Sequence, residues 1–375
     1  MQFIDLHRQY ERIERTVQDG ISKVLDHKKF IMGPEVDEFE EKLKKYTGVK
    51  HVICCASGTD ALVLPLRAYG LKETDAVFVP SFSFFASAES ISLAGGTPVF
   101  VDCDKDTFNI SVDSLKKAIE NVKKNQKLTP KGIVAVDLFG LPANFPEIKK
   151  IAQENNLFIL EDAAQGFGGR IKEKVACSFG DVAATSFFPA KPLGCYGDGG
   201  AVFTNDDDMA EKIRSIHVHG QGVDKYDNVR IGLNSRLDTI QAVILNAKID
   251  IFEDELKLRN KVAQEYEVRL KESINTPKGI NGYISSWAQY TLKARNAEER
   301  KKITNALAEA SVPTAIYYAT PIHLSSAYKD IKGDQIDLPN TEEICNKVFS
   351  IPMHPYLNID EIEKISDIIS SSVSA

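Results

Sequence analysis

The chain has 375 residues, 43% of them hydrophobic and 26% charged, with a formal net charge of −7. Its length suits one large and one smaller domain with a substantial core, and its acidity argues against a general nucleic-acid binder. No apolar run is long enough to span a membrane, the first residues lack a signal-peptide core, and the six cysteines form no C-x-x-C pair, so reduced buried thiols in a cytoplasmic protein are expected.

From about residue 50 to 205, short apolar runs alternate with helical stretches. The runs at 51–55, 76–80, 98–102, 132–137, 157–160, 182–185 and 200–204 read as strands, and 112–122 and 146–155 as helices. Several strands are apolar throughout, the pattern of strands covered on both faces. This predicts an α/β domain with a mostly parallel sheet, whose ligands gather where strands end and helices begin. After residue 236 the pattern changes. Residues 237–274 hold no glycine or proline and read as a long charged amphipathic helix or helix pair. A strand at 288–294 and helices at 298–310, 341–349 and 359–369 follow, with a fraying SSSVSA tail. The predicted division is 1–248 for a large α/β domain and 249–375 for a smaller C-terminal α+β domain. Residues 116–131, rich in lysine, read as a solvated helix end and loop.

Four clusters carry chemistry. In Ala56-Ser-Gly-Thr-Asp-Ala-Leu62, small residues at a strand-to-helix turn leave N–H groups free for a phosphate, or else form an ordinary N-cap by Ser57 or Thr59. Pro65 would distort this helix if it ran past one turn. Leu157-Phe-Ile-Leu-Glu-Asp-Ala-Ala-Gln165 ends an apolar strand in an acidic pair. Such a carboxylate can keep a pyridine nitrogen protonated, cap a helix, or bind a metal or a ribose. Thr185-Ser-Phe-Phe-Pro-Ala-Lys-Pro-Leu-Gly-Cys-Tyr-Gly-Asp-Gly-Gly200 presents Lys191 between prolines in a shaped loop, where a desolvated amine can form a Schiff base; the plain alternative is a surface lysine. Gly232-Leu-Asn-Ser-Arg-Leu-Asp-Thr-Ile-Gln-Ala242 places Asn234 and Arg236 just before a helix. His217 and His219 have no metal-ligand spacing and read as structural.

In this order, together with Phe3-Ile-Asp-Leu6, Ile31-Met-Gly-Pro-Glu-Val36 and Ile351-Pro-Met-His-Pro355, the clusters resemble the DegT/DnrJ/EryC1/StrS family of nucleotide-sugar aminotransferases over nearly the whole chain. The resemblance implies the aspartate-aminotransferase fold (fold type I) and pyridoxal phosphate (PLP) as cofactor, passing through pyridoxamine phosphate. It implies that Lys191 holds PLP covalently and moves a proton, that Asp162 pairs with the pyridine nitrogen, and that Gln165 lies near the phenolic oxygen. It further implies that Phe84 stacks on the ring, that Gly58, Thr59 and Ser186 bind the phosphate, and that Asn234 reaches the cofactor of a neighbouring subunit. A homodimer with shared sites follows, with no metal.

Arg236 is expected to meet a carboxylate, and Tyr317 and His323 the sugar nucleotide, with L-glutamate as amino donor. Relatives with histidine at the lysine position dehydrate instead, so Lys191 favours transamination. Around Lys191 and Asn234 the wording is similar to the branch acting on UDP-2-acetamido-2-deoxy-3-oxo-glucuronate, which serves bacterial surface polysaccharides. Tyr317 departs from that branch, where histidine is usual, so a 4-keto or a dTDP-linked 3-keto deoxysugar stays open. A PLP-binding regulatory protein without turnover is the reading from another class, although no DNA-binding module is visible. No G-x-G-x-x-G follows a strand, which disfavours a nicotinamide oxidoreductase.

Overall fold

Strands without a polar face must be covered on both sides, and the folding of this chain follows from that requirement. The computed structural model describes residues 1–224, 226–330 and 336–374. Two helices, α1 (Leu6–His27) and α2 (Pro34–Thr47), precede an alternating run: β1 (His51–Cys55), α3 (Gly58–Ala68), β2 (Asp75–Pro80), α4 (Ala86–Leu93), β3 (Thr97–Val101), α5 (Val112–Asn125), β4 (Thr129–Val136), α6 (Phe145–Asn155) and β5 (Phe158–Asp162). After the short strands β6 (Arg170–Ile171) and β7 (Lys174–Val175) come β8 (Val182–Ser186), β9 (Gly200–Thr204), α7 (Asp207–Ile216) and α8 (Thr239–Leu270). The rest holds β10 (Tyr283–Ile284), β11 (Tyr290–Lys293), α9 (Ala297–Glu309), α10 (Pro339–Cys345), β12 (Val348–Ile351) and α11 (Ile359–Ser374).

Local chemistry sets many of the helix starts. Asp5, Ser57, Ser111, Asn144, Asp206 and Asn296 each accept a hydrogen bond from a first-turn N–H. Seven strands form the main sheet in the order β1-β9-β8-β5-β4-β2-β3. The pairs from β8 to β3 are parallel, and β9 runs antiparallel to both β1 and β8. Apolar cores cover its two faces, and a third core lies in the C-terminal part around Tyr266, Tyr290, Phe349 and Ile365. The fold is α/β, as the alternation predicts.

Several boundaries differ from the sequence expectation. Residues 341–349 divide into α10 and β12, because Val348 and Ile351 pair with Lys293 and Tyr290 of β11; tertiary pairing overrides a helical pattern. The lysine-rich stretch is mostly regular structure, since α5 runs to Asn125 and β4 begins at Thr129. Pro65 lies inside α3, which continues to Ala68. The tail expected to fray is helical to Ser374, and Ala375 lies outside the described residues. Residue 248 falls inside α8, a single 32-residue helix. Phe252 and Leu256 belong to the core of the large sheet, whereas Val262, Tyr266 and Leu270 belong to the C-terminal core.

Phe252 is 1% exposed and packs against the rings of Phe167 (5.4 Å) and Tyr46 (5.8 Å). Phe252→Ala should cost about 3–5 kcal/mol in denaturant unfolding. Val268→Ala, on the exposed face of the same helix, should stay within about 0.5 kcal/mol.

Candidate active site

Register places the chemistry at one edge of the sheet. Asp162 ends β5 opposite Val136 of β4 and Ala184 of β8. It is 3% exposed, and its carboxylate accepts from Ser87 Oγ (2.7 Å) and from the Ala164 N–H (3.1 Å). Burial raises its pKa, while these bonds and the charge of Lys191 act the other way. Ser87 is in turn 2.9 Å from Ser83, so a short hydroxyl chain holds the carboxylate. Three residues on, Gln165 accepts from the Phe139 N–H (2.6 Å) and donates to the Tyr318 hydroxyl (2.9 Å). Both polar ends of the Gln165 amide are thereby fixed.

Behind Asp162 lie two further buried acids, Asp137 and Glu161. Glu161 accepts from the N–H groups of Cys177, Phe179 (2.6 Å) and Gly180 (3.1 Å), and Asp137 from that of Ala143 (2.9 Å). Burial together with mutual repulsion pushes the Asp137 carboxyl well above the usual carboxylate range.

Beside Asp162, antiparallel β9 brings Gly200 opposite both Cys55 and Ser186. The start of α3 is thereby set against the end of β8. A side chain at Gly58 would lie 2.5 Å from Ser186 Cβ, so glycine is what permits this approach. The first-turn N–H groups of α3, at Gly58 and Thr59, have no carbonyl within the helix to bond, and with the Ser186 hydroxyl they are donors that could hold an anion.

Lys191 rises from a bend closed by Lys191 N–H to Phe188 O and Cys195 N–H to Phe187 O, each 2.8 Å. It is half-buried, and desolvation lowers its pKa from 10.5 against the opposing pull of Asp162. A carboxylate, an amine shifted toward its neutral form and these donors are thus brought together. That set fits PLP: phosphate at α3, pyridine nitrogen at Asp162, aldehyde at Lys191. Phe84, 57% exposed beside the ring of Tyr318, offers an open aromatic face at the same edge.

Other expected residues lie further out. Asn234 is exposed on this chain, while its neighbour Ser235 accepts from the Ala56 N–H (3.3 Å). Arg236 is half-buried, and its Nε has no partner among the described residues. Tyr317 is half-buried against Phe3 and Tyr318. His323 is held at both ring nitrogens, by Ser81 (2.7 Å) and Glu342 (3.3 Å). His217 is buried with Nδ1 2.6 Å from the Arg214 carbonyl. All six cysteines are free and buried, and no described helix is long and apolar enough to cross a membrane. Ser87 and Tyr318 are the site residues the motifs do not reveal. Ser87 stands one turn beyond Phe84 in a run of small residues, and Tyr318 is next to the tyrosine the resemblance singles out.

Comparison with known proteins points to one family. A model of the DegT/DnrJ/EryC1/StrS aminotransferase family matches residues 11–370. The chain is 45% identical over 368 residues to the UDP-2-acetamido-2-deoxy-3-oxo-D-glucuronate aminotransferase of Pseudomonas aeruginosa, covering 97% of this chain and 98% of that one. A DegT DnrJ EryC1 StrS aminotransferase from Brucella abortus superposes with a TM-score of 0.97 at 48% identity, with both chains fully covered. NtdA from Bacillus subtilis, solved with bound cofactor PMP, superposes at 0.89 with 27% identity, covering 100% of this chain and 83% of that one. With its sheet, its Lys191–Asp162 edge and these matches in agreement, the chain belongs to the DegT/DnrJ/EryC1/StrS aminotransferase family.

Proposed function

We propose that the protein transfers the amino group of L-glutamate to a nucleotide-linked keto-sugar, with PLP bound at Lys191, and that the sugar is UDP-2-acetamido-2-deoxy-3-oxo-glucuronate. The observation that carries this reading is the convergence of a buried carboxylate, a lysine whose ammonium form is disfavoured, and donors suited to an anion on one sheet edge. The choice of sugar is supported by the 45% identity to the Pseudomonas aeruginosa enzyme along nearly the full length of both chains.

When bound, PLP supplies an aldehyde carbon and a ring that takes up the electron pair left when a carbon loses its proton. The chain supplies the rest. Asp162, whose carboxylate accepts from Ser87 Oγ and the Ala164 N–H, would pair with the ring nitrogen and favour its protonated form. Gly58, Thr59 and Ser186 would hold the phosphate, Gln165 would serve the phenolic oxygen, and Phe84 would cover the ring. The Lys191 amine would hold the cofactor and would carry the proton at the reacting carbon. Arg236 has a guanidinium nitrogen without a partner among the described residues, which suits the carboxylate of glutamate or of a sugar acid. Tyr317 and His323 border the sugar-nucleotide side. Asn234, exposed on its own chain, serves the partner's cofactor, which makes a homodimer the working unit.

Lys191→Ala should lose the borohydride-fixed cofactor peptide and about 10²- to 10⁴-fold or more in turnover. Capture of PLP by the apoprotein should speed up as pH rises and level off below pH 10.5, because burial favours the neutral amine over the ammonium. A midpoint at or above 10.5 contradicts that assignment. In mixed dimers, Lys191→Ala and Asn234→Ala proteins, each inactive alone, should together regain part of the activity. No recovery with subunit exchange confirmed would mean the sites are not shared. Turnover of the UDP-linked 3-keto uronate should exceed that of UDP-linked 4-keto and dTDP-linked 3-keto sugars, and the reverse order overturns the choice of sugar.

A further inference from the structure

A second lysine stands close to the reactive loop with no part in the chemistry described so far. Lys248, in the middle of α8, is 1% exposed. Its ammonium donates to the Gly194 carbonyl at 2.6 Å and sits 4.2 Å from the centre of the Tyr196 ring. Both contacts lie on the segment that returns from Lys191 to the sheet. A fully buried lysine requires compensation, and a carbonyl and an aromatic face supply it here.

The geometry of that segment makes the contact consequential. A side chain on Gly194 would lie 2.5 Å from the Phe188 carbonyl oxygen and 2.6 Å from that of Pro189, so the residues leaving the bend are folded directly onto those entering it. Next in the chain, Cys195 N–H bonds Phe187 O (2.8 Å), and Tyr196 N–H donates to Gln241 Oε1 on α8 (2.9 Å). One helix thus holds the returning segment at Gly194 and Tyr196, while Pro189 and Pro192 stiffen the bend itself. Fixing Gly194 fixes the backbone that aims Lys191.

We propose that Lys248 is a positioning residue: by gripping the Gly194 carbonyl and seating on Tyr196, it sets the direction in which the loop presents the Lys191 amine. The proposal rests on the reading of Lys191 as the cofactor-binding lysine. Desolvation also lowers the pKa of Lys248, to about 8, and Glu255 on the same helix opposes that shift. The hydrogen bond does not depend on this titration, since a neutral amine still donates to a carbonyl.

The test is the rate at which apoprotein captures PLP on Lys191, followed by the rise of its visible absorption and by borohydride trapping of the Lys191 peptide. Circular dichroism and the thermal midpoint report the fold separately. Lys248→Met keeps the length of the stem and removes the donor. The folded variant should capture PLP on the order of 10- to 100-fold more slowly, the scale of loss that follows from a misplaced reactive group. Tyr196→Leu, which removes only the aromatic seat, should slow capture by a smaller factor.

Capture at the wild-type rate by folded Lys248→Met overturns the proposal even if its thermal midpoint falls. If Lys248→Met does not fold, Tyr196→Leu decides, and an unchanged rate in that folded variant overturns it. Failure of the wild-type protein itself to capture PLP on Lys191 has a different meaning. It removes the functional reading first, and this inference with it.

Discussion

A negative charge buried at the end of a strand is the constraint around which this site is arranged. Asp162 is almost wholly removed from water, and an isolated carboxylate there would take up a proton and lose its use. Ser87, the Ala164 N–H and the charge of Lys191 oppose that tendency. The lysine is affected in the opposite sense, because the same burial disfavours its ammonium form. One desolvated edge therefore acts on both groups at once, raising the pKa of the carboxylate and lowering that of the amine. The neighbouring acids follow the same logic. Glu161 is surrounded by backbone N–H groups, and Asp137 is driven toward its neutral form, which keeps three carboxyl groups within one core from carrying three charges.

The topology makes such an edge available. Parallel strands deliver their C-terminal ends to one side, so Asp162 and Ser186 arrive together without any loop having to reach. The reversed strand β9 joins the end of β1 to the end of β8, and α3 then begins against Ser186 with its N–H groups directed into the site. Gly58 is needed because the two backbones meet at that point.

Much of this was legible in the sequence, and the exceptions have physical causes. Continuous apolar runs mark buried parallel strands, and each of the seven proposed between residues 51 and 204 is present within a few residues. Lys191, Asp162, Gly58 and Ser186 were singled out by the order of the four clusters and the family resemblance, since each cluster alone had a plain structural alternative. Residues 341–349 misled because a helical period held until Val348, where pairing with β11 took over. Ser87 and Tyr318 carry no pattern of their own; their roles arise from tertiary contacts with Asp162 and Gln165. Lys248 was hidden within a charged helix, where a lysine ordinarily faces water.

The helix that holds Lys248 also carries Arg259, whose guanidinium donates to the carbonyls of Trp287 (3.0 Å) and Met353 (3.2 Å) in the C-terminal part. With 3.6 residues per turn, each residue added or removed between them would rotate one grip by about 100° relative to the other. Substitutions on the solvent face of α8 leave that phase untouched, whereas a one-residue insertion or deletion cannot be absorbed without releasing either the loop under Lys191 or the C-terminal core. The stretch from Lys248 to Arg259 is therefore a fixed-length spacer, free to vary in sequence along its exposed face and closed to variation in length.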